Sequence, residues 1–227
     1  MITIKNERAR TLLKYIIPLA AIPAAVIAGA VFLDGNRYVY VTFFVAVLSV
    51  VLFICGFEKK KTGSRRLVAT CVMAALAIVG RFIPIFKPIA ALTAITGMYL
   101  GGEAGFLCGA LSALVSNFYF GHGPWTPFQM LAWGLIGLVA GALHELLQKS
   151  RAALYVFGAA SGIFFSLVMD VWTVLWMGAF DMSVYLSAIA AAIPHTVMYA
   201  LSNVLFLILC AKPFGEKLSR LKIKYGV

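Results

Sequence analysis

Charge is scarce in this sequence: only 12% of its 227 residues are charged, whereas 63% are hydrophobic. A water-soluble domain of this length needs far more charge to cover its surface, so the composition excludes a soluble protein and indicates a chain solvated by lipid. Acidic residues are the rarest, with eight against nineteen basic ones. Because the basic residues lie between the hydrophobic runs, their excess indicates cytoplasmic membrane loops and predicts no nucleic-acid partner.

Catalytic and metal-binding signatures are also missing. The chain contains no G-x-x-x-x-G-K-[ST] and no H-E-x-x-H, and its four cysteines lie in apolar runs without a C-x-x-C pair. Ser161-Gly162 together with His195 resembles an intramembrane serine protease only faintly, because Ala159 stands where that motif has Gly. We therefore predict no enzyme activity, no catalytic residue, no metal site and no cofactor.

Hydrophobic runs of spanning length predict an all-α membrane protein of about eight helices. Six long runs lie near residues 12–33, 38–57, 66–86, 127–147, 152–178 and 184–211. Two shorter runs fill residues 88–118 and break at Gly101-Gly102-Glu103, which is a turn signal. A basic, polar loop around residues 57–66 divides the chain into a two-helix preamble, residues 1–63, and a six-helix core, residues 64–227.

The positions of the basic residues predict the orientation in the membrane. All but three of the nineteen Lys and Arg residues fall on one side of the predicted bundle. In a bacterial cell membrane, which we predict for this chain, the bias predicts several crossings with both termini in the cytoplasm. The exceptions are Arg37, Arg81 and Lys87, on the outer side. Arg81 and Lys87 either snorkel to the interface or bind an anionic part of a ligand, so Arg81 is a candidate substrate-binding residue.

Aromatic residues are densest in residues 117–133, which read NFYFGHGPWTPFQMLAW. Glycine and proline order this segment into a compact loop that enters the sixth helix. An interfacial aromatic belt produces such a pattern without a ligand. The alternative is an aromatic cap over an external ligand site, in which Gln129 and Trp133 share one helix face. On that interpretation the candidate substrate-binding residues are Asn117, Tyr119, Trp125, Gln129 and Trp133.

Asp170 is an acidic residue inside the seventh predicted helix, about 12 Å from its outer end at 1.5 Å per residue. An unpaired carboxylate there costs about 3 kcal/mol, so we expect Asp170 to face the bundle interior and to have a partner. The eighth helix offers His195, Tyr199 and Ser202 along one stripe. The stripe and Asp170 are consistent with a structural hydrogen bond, a substrate-binding cluster or a proton relay. Asp170, Trp176, His195 and Tyr199 complete the substrate-binding candidates.

Residues 64–227 resemble the S components of energy-coupling factor (ECF) transporters. The resemblance rests on RRLVATCVMAALAIVGRF, GMYLGGEAGFLCGALSALVSNFYF and GHGPWTPFQMLAWGLIGLVAG. It implies a six-helix core that binds a vitamin or its precursor at the outer face and reorients in the membrane. It also implies a transmembrane T component and two ABC ATPases as partners. The loop motif is similar to the cobalamin-type branch, which implies a corrinoid ligand.

The resemblance also implies a surface for docking the partner. In S components this surface contains two alanines four residues apart on the first core helix. Here a stripe of small residues, which permits close helix contact within the chain or with a partner, occupies the corresponding helix. The candidate docking residues are Thr70, Cys71, Ala74, Ala75 and Ala77.

A stand-alone secondary transporter, coupled to protons through Asp170 and His195, is the alternative to the importer subunit. Transporters of that kind usually show internal repeats and interrupted helices, and neither half of this sequence mirrors the other. The sequence therefore favours the importer subunit.

Overall fold

The computed structural model describes residues 7–32, 38–55, 63–178 and 180–225, and nearly all of them are helical. The helices are α1 (Glu7–Ile16), α2 (Ile22–Phe32), α3 (Tyr38–Cys55), α4 (Gly63–Gly80), α5 (Ile89–Leu100), α6 (Gly102–Phe120), α7 (Trp125–Ala142), α8 (His144–Lys149), α9 (Arg151–Trp176) and α10 (Met182–Tyr225). A π-helical turn, Ile17–Ala21, joins α1 to α2 in one continuous helix. The short helix α8 directly follows α7. The prediction of an all-α membrane protein of about eight helices is confirmed.

Several of these helices suit a bilayer by length and composition. Within the described ranges, the bodies long and apolar enough to cross a membrane are Arg8–Phe32, Tyr38–Cys55, Arg151–Trp176 and Met182–Lys224. The first contains Pro18, which has no backbone N–H to donate, and the helix widens there into the π turn. The last extends beyond the predicted end at residue 211, because its basic final turns stay helical after the apolar run has ended.

α5 is too short to cross a bilayer by itself. Its 12 residues span about 18 Å, whereas α9 has 26 residues. The hydroxyl of Ser202, about 30 Å along α10 from its start, donates to the carbonyl of Lys87 at 3.0 Å, just before α5 begins. The hydrogen bond fastens Lys87 to α10, whereas residues 82–85 are exposed. We call residues 81–88, which connect α4 to α5, segment 81–88.

The connections define two ends of the bundle. One end carries segment 81–88 and the loop formed by residues 121–124. We call it the cavity end, because Arg81 and Lys87 of the segment line a small cavity there. The basic end carries the turn at Gly101-Gly102, helix α8 and the start of α4, where the Nε of Arg66 donates to the carbonyl of Leu100 at 2.6 Å.

Glycine lets α5, α6 and α7 approach until their backbones touch. A Cβ on Gly105 would lie 2.5 Å from the carbonyl oxygen of Gly137 and 2.7 Å from the Cα of Gly97. Real Cβ atoms do not come this close to backbone, so these positions exclude even alanine without helix movement. The small residues that the sequence places on α6 and α7 thus serve packing within the chain.

One ion pair and one cation–π contact attach the N-terminal helices to the core at the basic end. The carboxylate of Glu103 accepts Lys14 of α1 at 2.7 Å and Arg66 of α4 at 3.1 Å. The guanidinium of Arg66 also lies over the ring of Phe53 in α3, 5.5 Å from its centroid. Helix α3 packs on α6 and α7. The proposed boundary between residues 63 and 64 follows residues 56–62, which lie outside the described residues, and it stays a prediction.

The predicted docking stripe on α4 is divided between two faces. Thr70, Ala74 and Ala77 are buried, whereas Cys71 and Ala75 are exposed. Helix α4 turns the first three toward its own neighbours α5 and α6, since positions four apart share a face. Of the five candidate docking residues, only Cys71 and Ala75 are exposed, and the docking role of the stripe stays a prediction.

Candidate functional site

A small enclosed cavity lies where segment 81–88 meets α7, α9 and α10. Its free volume is about 20 Å³, enough for about one water molecule. Polar, basic and aromatic side chains surround it: Arg81, Lys87, Gln129, Trp133, Phe165, Tyr199 and Asn203 line the cavity together with Ile89 and Ala90. We call it the Arg81 cavity. The structure thus brings together Arg81, Gln129, Trp133 and Tyr199 among the candidates.

Arg81 is held in the cavity by neutral hydrogen-bond acceptors on α6. Its Nη1 donates to the hydroxyl of Ser116 at 2.5 Å and to the Oδ1 of Asn117 at 2.6 Å. The guanidinium lies over the rings of Phe120 and Trp133, 4.5 and 5.4 Å from their centroids. These contacts restrict both the position and the plane of the guanidinium.

Asn117 connects Arg81 to α7. Its side-chain amide donates to the Oγ1 of Thr126 and to the Oε1 of Gln129, both at 2.9 Å, which leaves its carbonyl oxygen for Arg81. Asn117 and Thr126 are fully buried. A buried chain with its polar groups paired holds its members in one arrangement. We call Arg81, Ser116, Asn117, Thr126 and Gln129 the polar chain.

Aromatic rings form one wall of the cavity. Trp133 and Phe165 stack almost in parallel, with an interplanar angle of 4° and centroids 5.0 Å apart. Tyr199 meets Phe165 edge-on at 5.0 Å. Because three separate helices supply the rings, the wall exists only in the folded bundle. Such a surface suits a flat ring.

Lys87 is a second cation beside this wall. Its Nζ lies 5.7 Å from the ring centroid of Phe120, the ring that Arg81 also contacts. Lys87 lies in the connection between α4 and α5, outside the helices. Burial and, after it, the charge of nearby Arg81 both lower the pKa of Lys87. Neither cation forms an ion pair with any of the described residues.

Segment 81–88 closes the cavity and is itself strained. Ile85 adopts a φ of +66°, a left-handed conformation that is costly for a β-branched residue. Phe82 packs against Tyr119 and Phe120, with centroids 4.6 and 5.0 Å away. Tyr119 is 73% exposed and does not line the cavity. Tyr119 lies with Phe82 on the outer surface of the bundle.

Trp125 and Trp176 lie outside the Arg81 cavity. Trp172 contacts Trp125 edge-on at 5.7 Å and stacks with Trp176 at 6.3 Å. Trp172 and Trp176 border a separate space of about 40 Å³ between α2, α3, α7 and α9. Trp176 is mostly exposed. Neither Trp125 nor Trp176 reaches the Arg81 cavity, because Trp125 precedes Gln129 by a full turn and Trp176 lies beyond Phe165 on α9.

Asp170 and His195 do not contact each other. Asp170 is buried, and its Oδ2 has no hydrogen-bond partner among the described residues. His195 is exposed. Helix α10 instead directs Thr196 toward α9, where its hydroxyl lies 2.6 Å from that of Ser166. The adjacent His195 is therefore rotated by about 100° to the outer surface. Asp170 thus faces the bundle interior as expected, whereas the described residues provide no hydrogen-bond partner for its Oδ2.

Residues outside the candidate set also contribute to the site. Phe165 and Asn203 line the cavity, and Ser116 holds Arg81. In sequence, Phe165 looks like any other apolar residue of a spanning helix, and no spacing signal distinguishes it. Asn203 had a signal, since an amide is rare within an apolar run, and it donates to the carbonyl of Gly158 at 3.2 Å.

These observations define a class: a helical membrane protein in which polar and aromatic side chains from several helices converge on one small cavity. Residues 61–220 match the family model described as "ECF-type riboflavin transporter, S component". The match covers more than half of the chain, which therefore belongs to this family of membrane vitamin-transporter subunits. The resemblance to S components is confirmed, and the cobalamin-type branch stays a prediction.

A curated relative is similar to part of the chain. A UPF0397 protein of Aliivibrio salmonicida is 28% identical over 123 residues, which cover 52% of this chain and 64% of that protein. The alignment thus spans less than two thirds of the relative. No solved structure matches the chain significantly.

Proposed function

We propose that this chain captures a vitamin-type molecule in the Arg81 cavity and delivers it inward as the substrate-binding subunit of an ECF importer. The polar chain carries the proposal, because it holds Arg81 beside an aromatic wall within the region that matches the family. In this function the chain needs no covalent chemistry. Aromatic contact and a few polar anchors bind the ligand, while a T component and two ABC ATPases drive its release.

Ligand entry requires segment 81–88 to move. A space of about 20 Å³ cannot hold a vitamin, whereas small-molecule sites usually measure about 300–1,000 Å³. The segment has the features of a gate: it has no regular helix and contains the strained Ile85. Its contacts with the rest of the bundle include the Ser202 hydrogen bond and the packing of Phe82. Breaking these few contacts would open the cavity toward the cavity end.

The proposed ligand is a flat ring compound of the flavin type. The rings of Trp133 and Phe165 both line the cavity and can contact a flat ring, and the family takes its name from riboflavin. The corrinoid predicted from the loop motif is bulkier and would require a much wider opening of the bundle. It remains the other outcome of the binding experiment.

The proposed orientation places the basic end in the cytoplasm. This end carries Arg65, Arg66, Lys149, Arg151 and Lys212, which agrees with the positive-inside bias. The cavity end then faces outward, where the ligand is captured.

The proposed docking surface for the T component is the exposed face of α4. Cys71 and Ala75 lie on it four residues apart, flanked by the exposed Val68, Val72 and Leu76. This face borders an open groove of about 720 Å³ between α4 and the last turns of α10. Small residues there would let a partner helix approach closely.

Riboflavin binding and uptake test the proposal. Purified protein in nanodiscs should quench riboflavin fluorescence, and Trp133→Leu should abolish quenching. Trp176→Leu serves as the control, because Trp176 lies outside the cavity and its loss should leave binding intact. Absorbance of bound cobalamin in place of a flavin would instead support the corrinoid. Uptake by cells that lack the ATPases, abolished by an uncoupler, would refute the importer and support a secondary transporter.

Co-purification tests the docking surface. Ala75→Trp should prevent recovery of the chain with the T component and ATPases while leaving riboflavin binding unchanged. Val156→Trp is a matched control on α9, since Val156 is also exposed and lies away from α4. Equal recovery of partners by both variants would show that the docking surface lies elsewhere.

A further inference from the structure

The Arg81 cavity has an unbalanced charge. Arg81 and Lys87 both line it, and the described residues provide neither with an ion pair. Asp170, the acidic residue in the cavity-end half of α9, is absent from the cavity lining. Two partly buried cations without a counter-ion are unfavourable, because burial weakens the screening of their mutual repulsion by water.

The polar chain orients Arg81 without neutralising it. Ser116 and Asn117 are neutral, and both bond to the same nitrogen, Nη1. The Nη2 and Nε of Arg81 make no hydrogen bond to the described residues. These two nitrogens form the outer edge of a guanidinium, which binds a carboxylate or phosphate through two parallel hydrogen bonds.

Simple snorkelling does not explain this arrangement. A snorkelling side chain extends its charge toward water, whereas Arg81 bonds to side chains that are themselves almost completely buried. The hydroxyl of Ser116 donates to the carbonyl of Ser112 at 2.5 Å, so its free lone pair is directed at Arg81. The protein thus holds a cation inward at a fixed position.

We propose that the ligand of the Arg81 cavity carries an anionic group, a carboxylate or a phosphate, next to its flat ring. Arg81 binds the anion through Nη2 and Nε, and Lys87 adds a second positive charge. Trp133, Phe165 and Tyr199 contact the ring. This inference rests on the proposed function, since it concerns the ligand of the same cavity, and it distinguishes a phosphorylated or acidic vitamin form from the neutral one.

Paired ligands test the inference. Each pair shares a ring and differs in an anionic group: riboflavin and riboflavin 5′-phosphate, pyridoxal and pyridoxal 5′-phosphate, nicotinamide and nicotinate. The dissociation constants are measured by calorimetry on the full chain in nanodiscs. In at least one pair the anionic member should bind about tenfold more tightly or better, as expected for a charge-assisted, two-point contact.

Charge variants identify the residues responsible. Arg81→Gln and Lys87→Gln should each reduce the ratio of the neutral member's dissociation constant to the anionic member's at least about threefold. Arg81→Lys keeps the charge but loses the paired donors, and it should retain only part of the preference. Lys149→Gln removes an exposed charge at the basic end and should change nothing. Thermal unfolding of each variant identifies any that fail to fold.

The outcomes separate this inference from the proposed function. Equal or tighter binding of the neutral member in every binding pair overturns the inference, while the importer subunit stands. A preference that survives both glutamine variants also overturns it. If none of the six compounds binds, the inference falls, and co-purification with the T component still decides the proposed function.

Discussion

Replacing Asn117 with leucine tests the central structural claim, that one buried amide orients the cavity. Leucine has nearly the same size but cannot form the hydrogen bonds to Arg81, Thr126 and Gln129. The substitution should lower stability because it leaves these three polar groups without that partner inside the bundle. It should also weaken ligand binding, because Arg81 loses one of the two acceptors that hold it.

The expected magnitude follows from the number and kind of bonds. Hydrogen bonds between membrane helices contribute about 0.6 kcal/mol on average, so three of them give about 2 kcal/mol. The bond from Arg81 is charge-assisted, and such bonds contribute about 1.5–3 kcal/mol, which raises the total to at most about 4 kcal/mol. We therefore expect a loss of about 2–4 kcal/mol in unfolding free energy and a roughly tenfold weaker ligand affinity.

The assay is equilibrium unfolding in mixed micelles, with helicity followed by circular dichroism. Gln148→Leu is the matched control, because Gln148 donates a single bond, to the carbonyl of Met98 at 2.8 Å, at the basic end. It should cost about 1 kcal/mol or less and leave ligand binding unchanged. If Asn117→Leu unfolds at the same denaturant fraction as the unaltered protein and binds ligand equally well, the polar chain does not organise the site.

Two further substitutions probe how the helices are held together. Gly137→Ala places a methyl group 2.3 Å from the backbone of Gly105, so α6 and α7 must separate. The overpacking costs about 1–3 kcal/mol, which should outweigh the better helix propensity of alanine. The melting temperature should therefore fall. Glu103→Gln removes the shared partner of Lys14 and Arg66 and should lower the unfolding free energy by about 1–3 kcal/mol, with faster proteolysis of the N-terminal helices.

Both substitutions have controls in the same chain. Val139→Ala changes an exposed position on the same helix as Gly137 and should shift the melting temperature little. Glu145→Gln removes an exposed ion pair with Lys149, which contributes about 0.5 kcal/mol at most. A control that destabilises the protein as much as its partner would contradict the close helix contact or the role of the ion pair.

Much of the fold follows from short-range pattern. Composition and apolar runs predict the membrane class and about eight helices, because lipid selects spanning lengths of apolar residues. The break between α5 and α6 was predicted from Gly101-Gly102, and Gly101 has a φ of +97°, which favours glycine. Spacing also predicted that Gln129 and Trp133 share a face, and both line the cavity.

The failures have a common cause. Periodicity tells which residues share a face of one helix, but it does not tell how that helix is rotated against its neighbours. For this reason Asp170 and His195 did not meet, and Thr70 and Ala74 turned inward while Cys71 stayed exposed.

The sequence by itself thus determined that the chain is a membrane protein and about how many helices it forms, because these depend on local apolarity and turn residues. The tertiary structure alone decided which side chains converge. Close contact at Gly105 and Gly137 sets the position of α6 against α7, and the shortness of α5 draws Lys87 inward beside Arg81. Such relations join residues distant along the chain, and only the packing of whole helices establishes them.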